Sequence, residues 1–206
     1  MLSQKVINVF KSQSDDTSSV QINKEAKPAV VDGVRAFLGL VLDNCKTLAE
    51  SGNRKTYDLK MVVNASCQAL RATEVDLSDF LSYVFATEVA AKGVYTSEDL
   101  PAVGGMYEVV TTQKGKTMNR VKTLNVLHLT EIEDMFKTTR KAKRDANVFL
   151  SRAADYVALN ILKSATAKVL QQKRKRIVKT DIGSVGPTLI SGSSSPSSGA
   201  VSAHDT

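Results

Sequence analysis

The sequence has no tryptophan, four prolines among 206 residues, and an aromatic content of only 5%. A chain this poor in helix breakers and large rings builds its core on helices from Ala, Val and Leu. Cysteine is limited to Cys45 and Cys67, each on an apolar helical stretch. That argues against a disulfide framework and leaves two buried, reduced thiols as the expectation. The histidines are His128 and His204, with no Cys/His cluster around either, so no metal site is expected. No apolar run approaches the length of a membrane span. Residues 1–10 are too short and too polar for a signal peptide. No Gly-rich phosphate loop stands at a strand–helix junction, and no Ser, His and Asp set suggests a triad. The chain therefore reads as a non-enzyme with no cofactor, no small-molecule substrate and no membrane partner.

What is present is a strong charge asymmetry. The net charge is +7. Residues 114–180 carry 17 Lys/Arg against 5 Asp/Glu, whereas residues 1–113 carry 11 against 14. A near-neutral first half joined to a basic second half suits an anion-binding surface better than an evenly solvated one.

Hydrophobic spacing gives the organisation. Residues 2–11 read as a short helix and 12–19 as a polar loop. Residues 24–50 read as a long amphipathic helix, with Val30, Val34, Phe37, Leu38, Val41, Leu42, Cys45 and Leu48 on one stripe. Gly52 and Asn53 stop it. Two more helices come at 57–71 and at 76–92, the second capped by Asp76. Residues 95–124, with Pro101, Gly104, Gly105 and Gly115, read as a linker. A short helix at 129–138, a basic loop at 139–145 and a long helix at 146–172 come next. The last has Val148, Leu150, Ala154, Val157, Ile161, Leu162, Ala165 and Val169 on one face. A basic loop at 173–176 leads to a helical turn at 180–185, and the Ser/Gly-rich residues 191–206 read as disordered.

The order short helix, long helix, basic loop, short helix thus occurs twice. One such unit cannot bury its stripe alone, but two can cross their long helices and bury both. On periodicity alone, a helical bundle with unrelated halves fits equally well. The loops are more specific. Asn53-Arg54-Lys55-Thr56 precedes one apolar helix, and Lys173-Arg174-Lys175-Arg176-Ile177-Val178 precedes Thr180-Asp181-Ile182. Both resemble the second loop and third helix of core histones. The second unit is similar to a type-2A histone through Val148-Phe149-Leu150, Asp155-Tyr156, Ile161-Leu162 and Arg176-Ile177. The first is similar to a type-2B histone through residues 77–97, which resemble that type's extra C-terminal helix.

The resemblance implies an all-α fold: two histone-fold modules paired within one chain. Residues 1–97 would be the type-2B-like module, 98–124 the linker, 125–190 the type-2A-like module and 191–206 a tail. It is similar to the fused histone doublets of Marseillevirus-like giant DNA viruses. It implies sequence-independent packaging of duplex DNA in nucleosome-like particles. Two copies would join a type-3/type-4 histone partner, in a virion, viral factory or host nucleus. The implied DNA contacts are Lys24, Arg54, Lys55, Thr56, Arg140, Lys141, Lys143, Arg144, Lys173, Arg174, Lys175, Arg176 and Lys179. Arg54 and Arg176 stand where this family inserts minor-groove arginines. Lys114, Lys116, Arg120 and Lys122 are further candidates in the linker. Three features depart from the resemblance, one being the short third helix and missing long docking tail, which bear on contact with a type-3/type-4 partner. The family's acidic patch is reduced to Asp155, followed by Asn160 and Lys163, and the helix at 129–138 is acidic through Glu131, Glu133 and Asp134. A histone-fold assembly subunit of a transcription complex and a helical virion structural protein are the alternative readings.

Overall fold

The computed structural model describes residues 2–71, 73, 75–86, 103–112 and 114–183. The chain runs α1 (Gln4–Lys11), α2 (Asp15–Ser19), β1 (Gln21–Ile22), α3 (Ala26–Ser51), α4 (Leu59–Arg71) and α5 (Leu77–Phe85). A 3-10 turn (Val103–Met106) leads to the strands β2 (Tyr107–Thr111) and β3 (Thr117–Val121). Then come α6 (Leu129–Lys137), α7 (Arg144–Gln171) and β4 (Arg176–Ile177). Residues 179–183 are helical.

The two long helices form the frame. α3 buries the stripe that its spacing predicts, from Val30 through Val34, Phe37, Leu38 and Val41 to Cys45, while Leu48 is half-buried. Its close approach to α7 falls at Gly33, where an added Cβ would stand 2.9 Å from Ile161 Cδ1. Short helices close the ends. Ser3 caps α1 by accepting from Val6 N–H, and α1 buries Val6, Ile7 and Phe10. α6 buries Ile132 and Phe136, and its Glu131 accepts from Arg35 of α3 at 2.8 Å.

Two parallel loop pairings tie the first half to the second. Gln21 and Ile22 of β1 pair with Arg176 and Ile177 of β4. At the other end Tyr57 bridges Ala142, with Tyr57 N–H donating to Lys141 O at 3.1 Å and Lys143 N–H to Tyr57 O at 2.9 Å. The loop before each long helix therefore meets the loop after the other long helix. Two short–long–short helical units are thus crossed and clasped within a single chain, the arrangement expected of a histone-fold pair.

Four local expectations need correction. The loop at 12–19 contains α2, held by a reciprocal cap between Ser14 and Thr17. The helix starting at Leu77 ends at Phe85 rather than continuing to residue 92. Ala86 adopts a left-handed φ of 51°, and its N–H bonds back to Ser82 O and Tyr83 O. The Arg152 guanidinium donates to Val84 O, which therefore needs no further helical N–H, and shares Tyr83 O with the Ala86 N–H. The stretch read as a linker holds an antiparallel hairpin, with Tyr107 opposite Val121 and Thr111 opposite Thr117. Finally, α7 is not buried along one face only. Every residue from Ala146 to Leu159 is buried, including Asn147, Ser151, Arg152 and Asp155. The tail at 191–206 and residues 87–97 of the first module lie outside the described residues.

Ser151, Arg152 and Asp155 inside α7 are bonded by the chain that covers them, whereas the buried Asn147 Oδ1 has no hydrogen-bond partner among the described residues. Arg152 donates to Tyr83 O and Val84 O at the end of α5, and to Lys122 O. One turn on, Asp155 accepts from Thr123 Oγ1 at 2.7 Å, Leu124 N–H at 2.6 Å and Val126 N–H at 3.1 Å. Aromatic rings of α5 complete the seam. Phe80 and Phe85 stand against Phe149, with centroids 5.9 and 5.6 Å apart, and Phe80 meets Tyr156 edge-on at 5.3 Å.

Candidate nucleic-acid interface

The loop pairings gather cations that are far apart in sequence. At one end Gln21 N–H donates to Lys175 O at 2.9 Å and Asn23 N–H to Ile177 O at 3.0 Å. Lys24 therefore comes directly after residues clasped to the 173–177 loop. Lys24, Lys173, Lys175, Arg176 and Lys179 are all exposed here. Arg176 is steadied by Gln21 Oε1 at 3.1 Å, a contact between the modules. Lys173 has a φ of 55°, and Arg174 N–H bonds to Val169 O at 2.9 Å, which turns the chain sharply out of α7.

Arg174 differs from its neighbours. It is half-buried, and its guanidinium reaches Asp181 at 2.7 and 3.2 Å as well as Gln172 Oε1. Asp181 also accepts from Val178 N–H at 2.9 Å. The Arg174 guanidinium holds the Asp181 carboxyl below the ordinary carboxylate range. Arg174 thus shapes the loop that presents its neighbours.

At the other end, Arg140 Nη1 donates to Arg54 O at 2.6 Å. This fixes the Arg54 backbone and leaves the Arg54 side chain, like Lys55 and Thr56, exposed. Lys141, Lys143 and Arg144 are exposed beside them, while Arg140 is half-buried. A cleft lined by Thr56, Lys137, Lys141, Lys143 and Arg144, with the acid Glu133 on its α6 side, runs along this loop pair. The first turns of α3 and α7 have no side-chain cap, so their N–H groups keep their attraction for anions. Tyr57, at the centre of the bridge, is fully buried against Phe136 and bonds Thr139 Oγ1 at 2.9 Å. It is a core residue and offers no stacking platform.

The two loop pairs stand at opposite ends of α3 and α7. Helices of 26 and 28 residues are about 40 Å long, so the two basic clusters are separated by a distance on the order of one turn of duplex DNA. Asp155, by contrast, is 1% exposed and turned inward, so it contributes no acidic surface. Both thiols are buried, and burial pushes Cys45 up to about 12 and Cys67 to about 11. Among the described residues, no group of His, Cys, Asp and Glu could hold a metal ion. No helix there is long and apolar enough to cross a membrane.

Sequence reasoning missed Arg152 and Asp155 as buried anchors. The available signal was the composition of 146–159, where Arg152 and Asp155 are the only charges in 14 residues of a chain that is 24% charged.

Neither a protein-family model nor a curated relative matches the sequence. Among solved structures, the chain is similar to the histone from Methanopyrus kandleri. The two share 15% identity with a TM-score of 0.48, over 90% of this chain and 93% of that one.

Proposed function

We propose that this chain packages duplex DNA without sequence preference, as a fused pair of a type-2B-like and a type-2A-like histone module. The observation that carries this reading is the pairing of basic loops at both ends of the crossed helices. Arg54, Lys55, Lys141, Lys143 and Arg144 form one cluster; Lys24, Lys173, Lys175, Arg176 and Lys179 form the other. Each cluster takes residues from both modules, so folding itself assembles the charge. Two clusters about one DNA turn apart can meet successive inward-facing minor grooves of a bent duplex. Phosphate contacts of this kind release counterions and ignore base identity. Arg54 and Arg176 would enter the groove, with Arg140 and Arg174 supporting their loops. The particle would hold two copies of this chain together with a type-3/type-4 histone dimer or doublet, as the resemblance to giant-virus doublets implies.

The test is nuclease digestion of DNA reconstituted with the chain, with and without a type-3/type-4 histone partner. A protected fragment of defined length is expected with the partner. A salt titration of binding adds residue resolution. Arg54→Ala and Arg176→Ala should each lower the slope of log K against log salt by about one unit. If both variants stay folded and bind like the parent, the loops are not the DNA surface, and assembly with other proteins becomes the better reading.

A further inference from the structure

The hairpin of β2 and β3 stands outside the two loop clusters, yet it begins beside one of them. Tyr107, the first residue of β2, donates its hydroxyl to Asp145 Oδ1 at 2.9 Å. Asp145 lies in the first turn of α7, next to Arg144. The foot of the hairpin is closed by Lys122 N–H donating to Met106 O at 2.9 Å, and Met106 is fully buried. The ribbon is thus anchored to the core within one helical turn of the Arg54 cluster. Five residues per strand give it a reach of about 17 Å.

Its composition is unusual for a connecting segment. The turn is fixed: Thr112 N–H donates to Lys116 O and Gly115 N–H to Thr112 O, both at 2.8 Å. Gly115 has a φ of +73°, which favours glycine. This turn presents Lys114 and Lys116 at the tip, with Arg120 on β3 and Lys122 at the root. The acid among them is Glu108, 3.8 Å from Arg120 and 45% exposed. The large exposed apolar side chains of the described residues are also here, Val109 at 73% and Met118 at 54%. They lie on opposite faces of the ribbon, since Val109 pairs with Asn119 and Met118 with Val110. One apolar side chain per face is too little to seat a protein partner. The cations at the tip would repel a second copy.

We infer that this ribbon is a separate DNA-contacting arm, carrying the duplex onward from the Arg54 end. The inference rests on the packaging function proposed above. A two-stranded ribbon matches the width of a major groove, about 12 Å. In it, Lys114, Lys116 and Arg120 reach the flanking phosphates, and Met118, on the same face as Arg120, rests against base edges and sugars. The contact is electrostatic and carries no fixed sequence preference.

The experiment compares the full chain with a triple variant, Lys114→Ala, Lys116→Ala and Arg120→Ala, and with Arg54→Ala. Circular dichroism monitors folding. The triple variant is expected to lower the salt slope by about 2.7 units, at about 0.9 per phosphate contact. Arg54→Ala should lower it by about one, with the two losses independent. A second measurement uses Met118→Cys carrying a DNA-cleaving iron chelate. Because the native thiols are buried, the introduced thiol is the one that reacts. Cuts are expected at a fixed offset from those made by a probe at Arg54→Cys. If Arg54→Ala weakens binding while the triple variant keeps the parental slope and the Met118 probe leaves DNA intact, the arm is overturned and the packaging reading stands. If neither variant alters the slope, both fail. If Met118→Ser lowers the mass seen by light scattering while DNA binding is unchanged, the ribbon is a self-association edge and the arm is again overturned.

Discussion

α3 and α7 have similar lengths and cross at one point, but they meet their surroundings differently. α3 keeps one wet face: Asp32, Arg35, Asp43 and Glu50 are all exposed. α7 is enclosed over half its length, with α3, α4, α5 and the chain at 122–126 packed around it. The same short–long–short unit therefore plays two roles. The first module wraps, and the second is wrapped. The difference lies in the chain beyond each unit. After α4 the chain continues through α5 and the hairpin, and this added length covers the face of α7 that α3 leaves open. A charged residue on α3 is solvated, whereas one on the first half of α7 must find partners in the covering chain.

The most damaging way to probe this contrast is Arg152→Ala. It would leave the Val84 and Lys122 carbonyls without the guanidinium donor, leave Tyr83 O with the Ala86 N–H alone, and remove a positive charge near buried Asp155. A loss of about 3 kcal/mol or more is expected in a urea melt. A loss under about 1 kcal/mol would mean that α7 is not sealed at this point.

A second test uses acid. Arg174 lowers the Asp181 carboxyl, so the folded chain binds that proton less tightly than the unfolded chain does. The resulting stabilisation is complete above the usual carboxylate range and fades as pH falls through the depressed folded value. The thermal midpoint of Asp181→Asn should lie below the parent at pH 7. The two should converge as the pH drops below the ordinary carboxylate range. A constant gap at all pH values would show that the pair contributes nothing through charge.

Glycines on α3 sharpen the contrast further. Gly39 has nothing within 4 Å of an added Cβ, so Gly39→Ala should stabilise by about 0.5–1 kcal/mol through helix propensity. Gly33→Ala places its methyl 2.9 Å from Ile161 Cδ1, and that clash should cancel or reverse the gain. Equal gains at both sites, measured by denaturant melts, would move the crossing point away from Gly33.

The smallest effect is expected for Arg35→Ala or Glu131→Ala. These side chains are 48% and 36% exposed, and such a pair contributes about 0–1 kcal/mol. Glu131→Ala should also leave DNA affinity unreduced, since an acid on α6 does not bind phosphate.

The sequence shows the α3 stripe plainly because one face is wet and the 3.6-residue period survives. It shows the predicted face of α7 as well, from Val148 to Val169, all of it buried. What it conceals is the opposite face. Asn147, Ser151, Arg152 and Asp155 look like a solvated face, because nothing local to them reveals that residues 83–84 and 122–126 will arrive to bond Ser151, Arg152 and Asp155, or that Asn147 will be buried with them. The hairpin is hidden for a related reason. Gly104, Gly105 and Gly115 mark breaks, but the alternating segments between them are short and largely exposed, so no buried periodicity betrays two strands. The basic loops at 53–56 and 173–176 are visible as charge runs. That Arg174 turns toward Asp181 while Arg176 stays exposed depends on how residues 179–183 pack, and charge alone does not reveal it.

The bond from Arg176 to Gln21 joins residues 155 positions apart. Both loop pairings close only after the second module exists, which makes this a fold of long-range contacts despite its helical content. During synthesis α3 is finished roughly 120 residues before β4. At about 5–20 residues per second its apolar stripe waits on the order of ten seconds for its mate. Carrying both long helices in one chain spares it a search for a separate partner molecule. It also fixes the order of assembly: an unpaired first module always precedes the pair, and its α3 stripe is the surface most exposed to misassociation before α7 arrives.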